Sequence, residues 1–287
     1  MSAKTHVVIP THTTRHLHRT LLGYATQDQA PTTITVSCDT DDQAIGRLLE
    51  AVVAETGLTI TQVFRARHPE ARLAQNRNNG IRSLLRRGLA EDDLLIFVDG
   101  DCIPAVDFVA CHERQARDRD FVIGNYVLLD EETTDAIPAD DTMRDHIKGL
   151  PTDEQMQSMH KLEGKARTHQ FLRRFGLTKA HKPKILGANT SVRARNVLAI
   201  NGYDENYLAW GFEDDDFGRR LYRSGARSSI AITRAIMLHQ WHPTRKGRSW
   251  ESGSVAQRFK SRLPTRCENG IENPLPQHEV HERTLQP

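Results

Sequence analysis

The sequence predicts an α/β domain whose mostly parallel central sheet is flanked by helices. Three observations carry that expectation. Short β-branched or apolar runs alternate four times with stretches of helical periodicity. Acidic residues stand directly behind two of those runs. The 287 residues, 38% of them hydrophobic, suffice to bury a full core. Alternation of this kind is resolved by parallel strands with helices packed over them.

In chain order, residues 6–10, 33–37, 59–64 and 94–98 are the predicted strands. Between them, residues 42–55 place Ile45, Leu48, Leu49, Val52 and Val53 at helical spacing, and residues 71–89 do the same with Ile81, Leu84 and Leu85. The pattern breaks over 130–184, where acidic Asp130, Glu131 and Glu132 lead into a loop with Pro138 and Pro151 and then a basic stretch over 161–184. Met156, Met159, Leu162, Ala166 and Leu172 are expected to form one face of a helix there, within an insertion or lid. A second α/β segment follows: an apolar stretch over 185–192, a helix over 193–200, a helix from the acids at 213–216 to Ser224, and a strand near 235–238. Beyond Pro243 the chain is polar and of mixed charge, and is expected to wrap or fray.

Bulk composition excludes several classes. The apolar stretch at 7–9 ends at Pro10, too short for a signal peptide. No window reaches the roughly 20 apolar residues that cross a bilayer. Cys38, Cys102, Cys111 and Cys267 show neither a CxxC pair nor zinc-ligand spacing, and read as reduced thiols. A cytoplasmic protein is therefore expected. The net charge of +2 does not by itself call for a nucleic-acid partner.

In open parallel sheets, ligands sit beyond the carboxyl ends of the strands, so the residues following each run are the candidates for chemistry. Thr11 follows the first run, Asp39 the second and Asp99 the fourth. Asp99-Gly100-Asp101 presents two carboxylates around a glycine, an arrangement suited to a hard divalent cation; an Asp-Gly turn would give the same residues. Glu213, Asp214, Asp215 and Asp216 stand where a helix begins. One or two acids there serve capping and the helix dipole, but four repel one another and point to a further duty such as a general base. His239 and His242 follow an apolar run, either as metal ligands or as structural histidines. The basic stretch 161–184 is read as a solvated helix face or as a contact for a phosphate-bearing acceptor, an anionic membrane surface or nucleic acid.

Taken together, these motifs resemble a known family. Val-Val-Ile-Pro-Thr at 7–11, Asp39, Arg-Asn-Asn-Gly-Ile at 77–81 and Phe-Val-Asp-Gly-Asp-Cys-Ile-Pro at 97–104 resemble family 2 of the glycosyltransferases, with the GT-A nucleotide-diphospho-sugar transferase fold. Gly-Ala-Asn-Thr-Ser-Val-Arg at 187–193, Asn-Gly-Tyr-Asp-Glu at 201–205 and Trp-Gly-Phe-Glu-Asp-Asp-Asp at 210–216 are similar to the carboxyl-terminal half of the β-1,4-galactosyltransferases and of chondroitin-type polymerases.

The resemblance implies a metal-dependent, inverting hexosyl transfer from a UDP-sugar to a hydroxyl of a glycan or other acceptor. It places Asp39 and Thr11 at the nucleotide base, Arg77 near the diphosphate, and Asp99 between the ribose and the metal. Asp101 and His242 become ligands of Mn²⁺ or Mg²⁺, with His239 the substitute if the register is off. Asp214 becomes the catalytic base, Glu213 a partner for sugar hydroxyls, and Trp210 either a platform for a sugar ring or an ordinary core residue. One catalytic domain over 1–243 is implied: a nucleotide-sugar half over 1–129, an insertion over 130–184, an acceptor half over 185–243, and a tail over 244–287. Cys38-Asp39 departs from the usual acidic pair after the second strand, and Phe212 replaces a small residue. A nucleotidyltransferase is the alternative enzyme, although Pro10 to Arg15 lacks its Gly- and Arg-rich phosphate loop; the alternative outside catalysis is a sugar- or partner-binding relative.

Overall fold

A computed structural model describes residues 3–208, 211–243 and 253–287. The amino-terminal half alternates as expected: β1 (Thr5–Thr11), α1 (Leu17–Ala25), β2 (Thr33–Cys38), α2 (Gln43–Thr56), β3 (Ile60–Phe64), α3 (Leu73–Arg86) and β4 (Leu94–Val98). The middle holds β5 (Cys102–Pro104), α4 (Phe108–Gln115), β6 (Phe121–Ile123), β7 (Val127–Leu128), α5 (Glu131–Ala136), α6 (Met143–Lys148) and α7 (Asp153–Arg173). Then follow β8 (Asn189–Arg193), α8 (Ala194–Ala199), α9 (Glu213–Arg223), β9 (Ser228–Ile230), β10 (Met237–His239), α10 (Ser254–Lys260) and β11 (His281–Leu285). None of the described helices is long and apolar enough to cross a membrane.

The main sheet has the order β11-β3-β2-β1-β4-β8-β6-β9. Only β8 and β11 run against the other six strands, so the mostly parallel expectation is met. Alternation along each strand feeds two cores. Val8, Leu95 and Phe97 point to one face with Ile81, Leu84 and Phe217. Val7, Ile9, Ile34, Val36 and Ile96 point to the other with Leu17, Leu49 and Phe108. Gly80 lets α3 approach the sheet, since a Cβ there would lie 2.8 Å from the Val8 side chain.

A second, three-stranded sheet, β5-β10-β7, lies beyond the end of β4. Its strands, like β6 and β9, are two or three residues long, too short to show periodicity in sequence. Three expectations are corrected or made more specific. The stretch 185–192 becomes strand only from Asn189. On α7 the buried residues are Met159, Glu163 and Ala166, while Leu162 is 40% exposed. Glu163 belongs to that face because its carboxylate accepts hydrogen bonds from Thr233 N–H and Arg167 and so ties the helix to the β9–β10 connection. Finally, beyond the central segments, residues 281–285 form β11, antiparallel to β3, and Cys267 and Ile271 are buried.

Candidate active site

The carboxyl ends of β1, β2 and β4 converge on a cleft of about 780 Å³ lined by Thr11, Asp39, Asp99, Gly100, Asp101 and His242, among others. Its size falls in the range of small-molecule sites. The β1–β2 register sets Thr11 beside Cys38, and Asp39 N–H donates to Thr11 O at 2.8 Å. Arg65, wholly buried, places Nη2 2.5 Å from Asp39 Oδ1, and Arg72 N–H donates to Oδ2 at 3.4 Å. Burial works against the Arg65 charge and lowers its pKa, although Asp39 opposes that. The carboxylate of Asp39 is thus fixed at one end of the cleft, 14% exposed.

The other end is built by strand pairing. β10 runs antiparallel to β5 with His239 opposite Cys102. Gln240 N–H then donates to Asp101 O at 3.0 Å, and its side chain donates to the same oxygen at 3.2 Å. This pins the histidines to the acid: Asp101 Oδ2 lies 3.3 Å from His242 Nε2 and 3.8 Å from His239 Nε2. The two imidazoles are 5.3 Å apart, and Tyr126 lies 4.9 Å from His239. Asp101, Cys102 and His239 also form the one group of three potential ligand atoms within 4.8 Å among the described residues. Gly100 permits the tight turn between the two aspartates; a Cβ there would lie 3.3 Å from Thr11 Cβ and Oγ1.

Between these ends stands Arg77, on α3 and 1% exposed. Its Nη2 donates to Asp99 Oδ1 at 3.0 Å and its Nη1 to Asp214 Oδ1 at 2.9 Å. Burial disfavours the guanidinium charge, but Asp214, Asp99 and Glu213 outweigh it and raise the Arg77 pKa. Asp99 is raised in turn, first by burial and then by Asp101 and Asp214, against the pull of Arg77. Asp214 Oδ2 accepts from Gly187 N–H at 2.8 Å, so each of its oxygens has one partner and keeps one lone pair free. Gly187 must be glycine, because a Cβ would fall on Arg77 Nη2 and Asp214 Oδ1.

The four acids that open α9 divide into distinct roles. Asp216 is fully buried and holds Arg219 and Arg220 at 2.6 Å each, and Arg220 in turn donates to Ile200 O and Gly202 O. Asp215 pairs with Lys184 at 3.3 Å. Only Glu213 and Asp214 turn to Arg77, at 4.0 and 2.9 Å. Gly211 and Phe212, with φ of 122° and 64°, bend the backbone into the left-handed region ahead of the helix. Gly211 N–H donates to Glu213 Oε2 at 2.8 Å. Burial, and next the charge of Asp214, push the Glu213 carboxyl up to about 7.

The structure therefore gathers Thr11, Asp39, Asp99, Asp101 and His242 around one cleft, with His239 and the Arg77–Asp214–Glu213 group against its acidic end. Trp210 lies outside the described residues. Sequence reasoning passed over Arg65 and Tyr126, and met Gly187 only as the first residue of a motif, without a role. Arg65 was within reach, since it follows the third strand as Asp39 follows the second.

A family model described as the N-terminal domain of galactosyltransferase matches residues 167–242. An uncharacterized glycosyltransferase, YfnE of Bacillus subtilis (strain 168), is 25% identical over 272 residues, covering 84% of this chain and 66% of that protein. The chain thus spans just under two thirds of the length of this relative. Among solved structures, S. aureus TarS 1–349 in complex with UDP-GlcNAc matches with a TM-score of 0.54 at 15% identity, over 89% of this chain and 63% of that one. GalNAc-T7 with UDP, GalNAc and Mn²⁺ matches with a TM-score of 0.54 at 17% identity, over 84% and 44%.

Proposed function

We propose that this chain, which has the fold of the GT-A glycosyltransferases, transfers a sugar from a UDP-sugar to an acceptor hydroxyl with inversion and with the help of a divalent cation. The observation that carries the reading is the Arg77 bridge: one buried guanidinium ties Asp99, at the donor cleft, to Asp214. Bond breaking and proton removal can then occur within one side chain's reach of each other. Similarity to YfnE supports glycosyl transfer, and the UDP and UDP-GlcNAc complexes among the structural neighbours support the donor class.

The donor set fits a cation. Asp101 supplies a carboxylate oxygen, and His242 and His239 direct Nε2 at that same oxygen. Two imidazoles beside a carboxylate suit Mn²⁺ better than Mg²⁺, which favours an all-oxygen shell. When bound, the ion would neutralise charge on the departing diphosphate. The chain's own residues do the rest. Asp39 accepts the imide N–H of the uracil while Arg65 holds its other oxygen. Asp214 takes the acceptor proton as the acceptor oxygen attacks the anomeric carbon and the bond to the diphosphate breaks. Arg77 and Gly187 N–H fix the angle of that carboxylate. Glu213, whose carboxyl is held well above the usual carboxylate range by burial and by Asp214, can offer a proton or an oxygen to a sugar hydroxyl.

Two variants test these roles. Asp214→Asn should cut turnover by roughly 10²–10⁴-fold, the usual worth of a general base, with donor affinity nearly unchanged. Asp101→Ala should weaken Mn²⁺ and UDP binding together in calorimetric titration. Near wild-type turnover in the first, or unchanged affinity for both ligands in the second, removes the corresponding assignment.

A further inference from the structure

Residues 161–184 contain eight Lys or Arg and one acid, although the whole chain carries only +2. Part of this charge is engaged internally. Arg167 pairs with Glu163, Lys184 pairs with Asp215, and Arg173 donates to Lys179 O and Ala180 O while stacking 3.7 Å from the Tyr222 ring. Lys165, Arg174 and Lys179 are exposed and form no ion pair among the described residues.

The same segment holds an apolar tip. Six large hydrophobic side chains are exposed among the described residues, and three of them fall within seven positions: Phe171 (57%), Phe175 (63%) and Leu177 (70%). The two rings meet edge-on at 5.3 Å. Gly176, with φ of 70°, ends α7, as Leu177 N–H donates to Leu172 O and Gly176 N–H to Arg173 O. In such a terminus the residue after the glycine ordinarily packs back on the helix. Leu177 instead faces solvent, two positions after Phe175.

Exposed aromatic and aliphatic side chains interleaved along the chain with cations that form no ion pair among the described residues match what an anionic lipid surface offers: negative headgroups above an apolar layer. Nucleic acid would answer the charge but leave Leu177 and the edge-on ring pair uncovered, since base stacking needs open ring faces. We propose that the tip of α7 and the turn after it dock on an anionic phospholipid bilayer, with Phe171, Phe175 and Leu177 at the headgroup boundary and Lys165, Arg174 and Lys179 facing the phosphates. The segment runs on through Lys184 to Gly187, which donates to Asp214, so docking would hold the Asp214 side of the cleft near the membrane.

Co-sedimentation of the full chain with vesicles of phosphatidylcholine, with and without phosphatidylglycerol, tests this. Binding is expected only with phosphatidylglycerol. Arg174→Gln and Lys179→Gln should each weaken it by about fivefold, the worth of one cation at an anionic surface. The triple change Phe171→Ser, Phe175→Ser, Leu177→Ser should abolish residual binding at raised salt while the unfolding midpoint stays at its wild-type value. No binding to the anionic vesicles, or equal binding by wild type and both sets of variants, overturns the proposal. So does loss in these variants of DNA binding or of self-association when the wild type ignores vesicles.

Discussion

At the scale of single residues, the candidate site crowds like charges around the Arg77 guanidinium. Glu213 shows the cost. Burial and Asp214 raise its carboxyl from 4.5 to about 7 in the folded chain. The unfolded chain releases this proton at lower pH than the folded one does, so stability should fall as pH rises from about 4.5 to about 7 and level off above. For a shift of this size the loss amounts to about 3 kcal/mol. Glu213→Gln keeps an acceptor for Gly211 N–H and should flatten that dependence, as urea unfolding at about pH 5 and about pH 8 would reveal. Equal slopes in variant and wild type would mean that Glu213 is ionised in the fold. Gly187 makes the complementary case, because its lack of a side chain is the space occupied by Arg77 and Asp214. Gly187→Ala should cost about 1–3 kcal/mol of stability and displace the carboxylate, lowering turnover more than donor affinity. Sequence motifs pointed to these residues by type, but the glycine's role is a matter of packing against residues 110 positions away in Arg77 and 27 in Asp214, which no local pattern encodes.

At the scale of elements, α9 shows how a cluster of like residues can mislead. The excess of four acids was legible in sequence, but its division was not. Asp216 closes a buried network with Arg219 and Arg220, which the helix presents at i+3 and i+4, and Asp215 answers Lys184 from another segment. Asp216→Ala strands two buried guanidinium groups and should cost about 3–5 kcal/mol in urea unfolding. Asp214→Asn loses one acceptor and the charge facing Arg77 but leaves the Arg77–Asp99 pair in place, and should cost less, about 1–3 kcal/mol. If Asp216→Ala were as stable as wild type, the structural reading of that carboxylate would fail. Strands β1 to β4 were readable because each is five to seven residues long and almost entirely buried. The three-residue pairing of β5 with β10 was not, although it alone brings His239 and His242 to Asp101. The two histidines could be named from their place after an apolar run, whereas their partner was set by register across the 138 positions from Asp101 to His239.

At the scale of the whole molecule, one end of the sheet gathers the candidate site. The parallel strands deliver Thr11, Asp39 and Asp99 to the cleft, the small sheet adds the histidines, and α3 and α9 supply the bridge to Asp214. The far edge is closed by β11, whose Arg283 donates to Gln62 at 2.8 Å and pairs with Glu50 at 2.7 Å. Sequence composition there is polar and mixed, so the strand was hidden: its stability comes from pairing with β3, not from an apolar pattern of its own. The central claim is that this end of the sheet holds a UDP-sugar through a cation at Asp101 and the histidines. Its most direct measure is UDP release from a panel of UDP-sugars, with Mn²⁺ and with a chelator in its place, for the wild type and Asp101→Ala. The account predicts release by the wild type with Mn²⁺, and little from the chelated enzyme or the variant. Release that is equal in all three, or absent for every donor while UDP still binds, would contradict it.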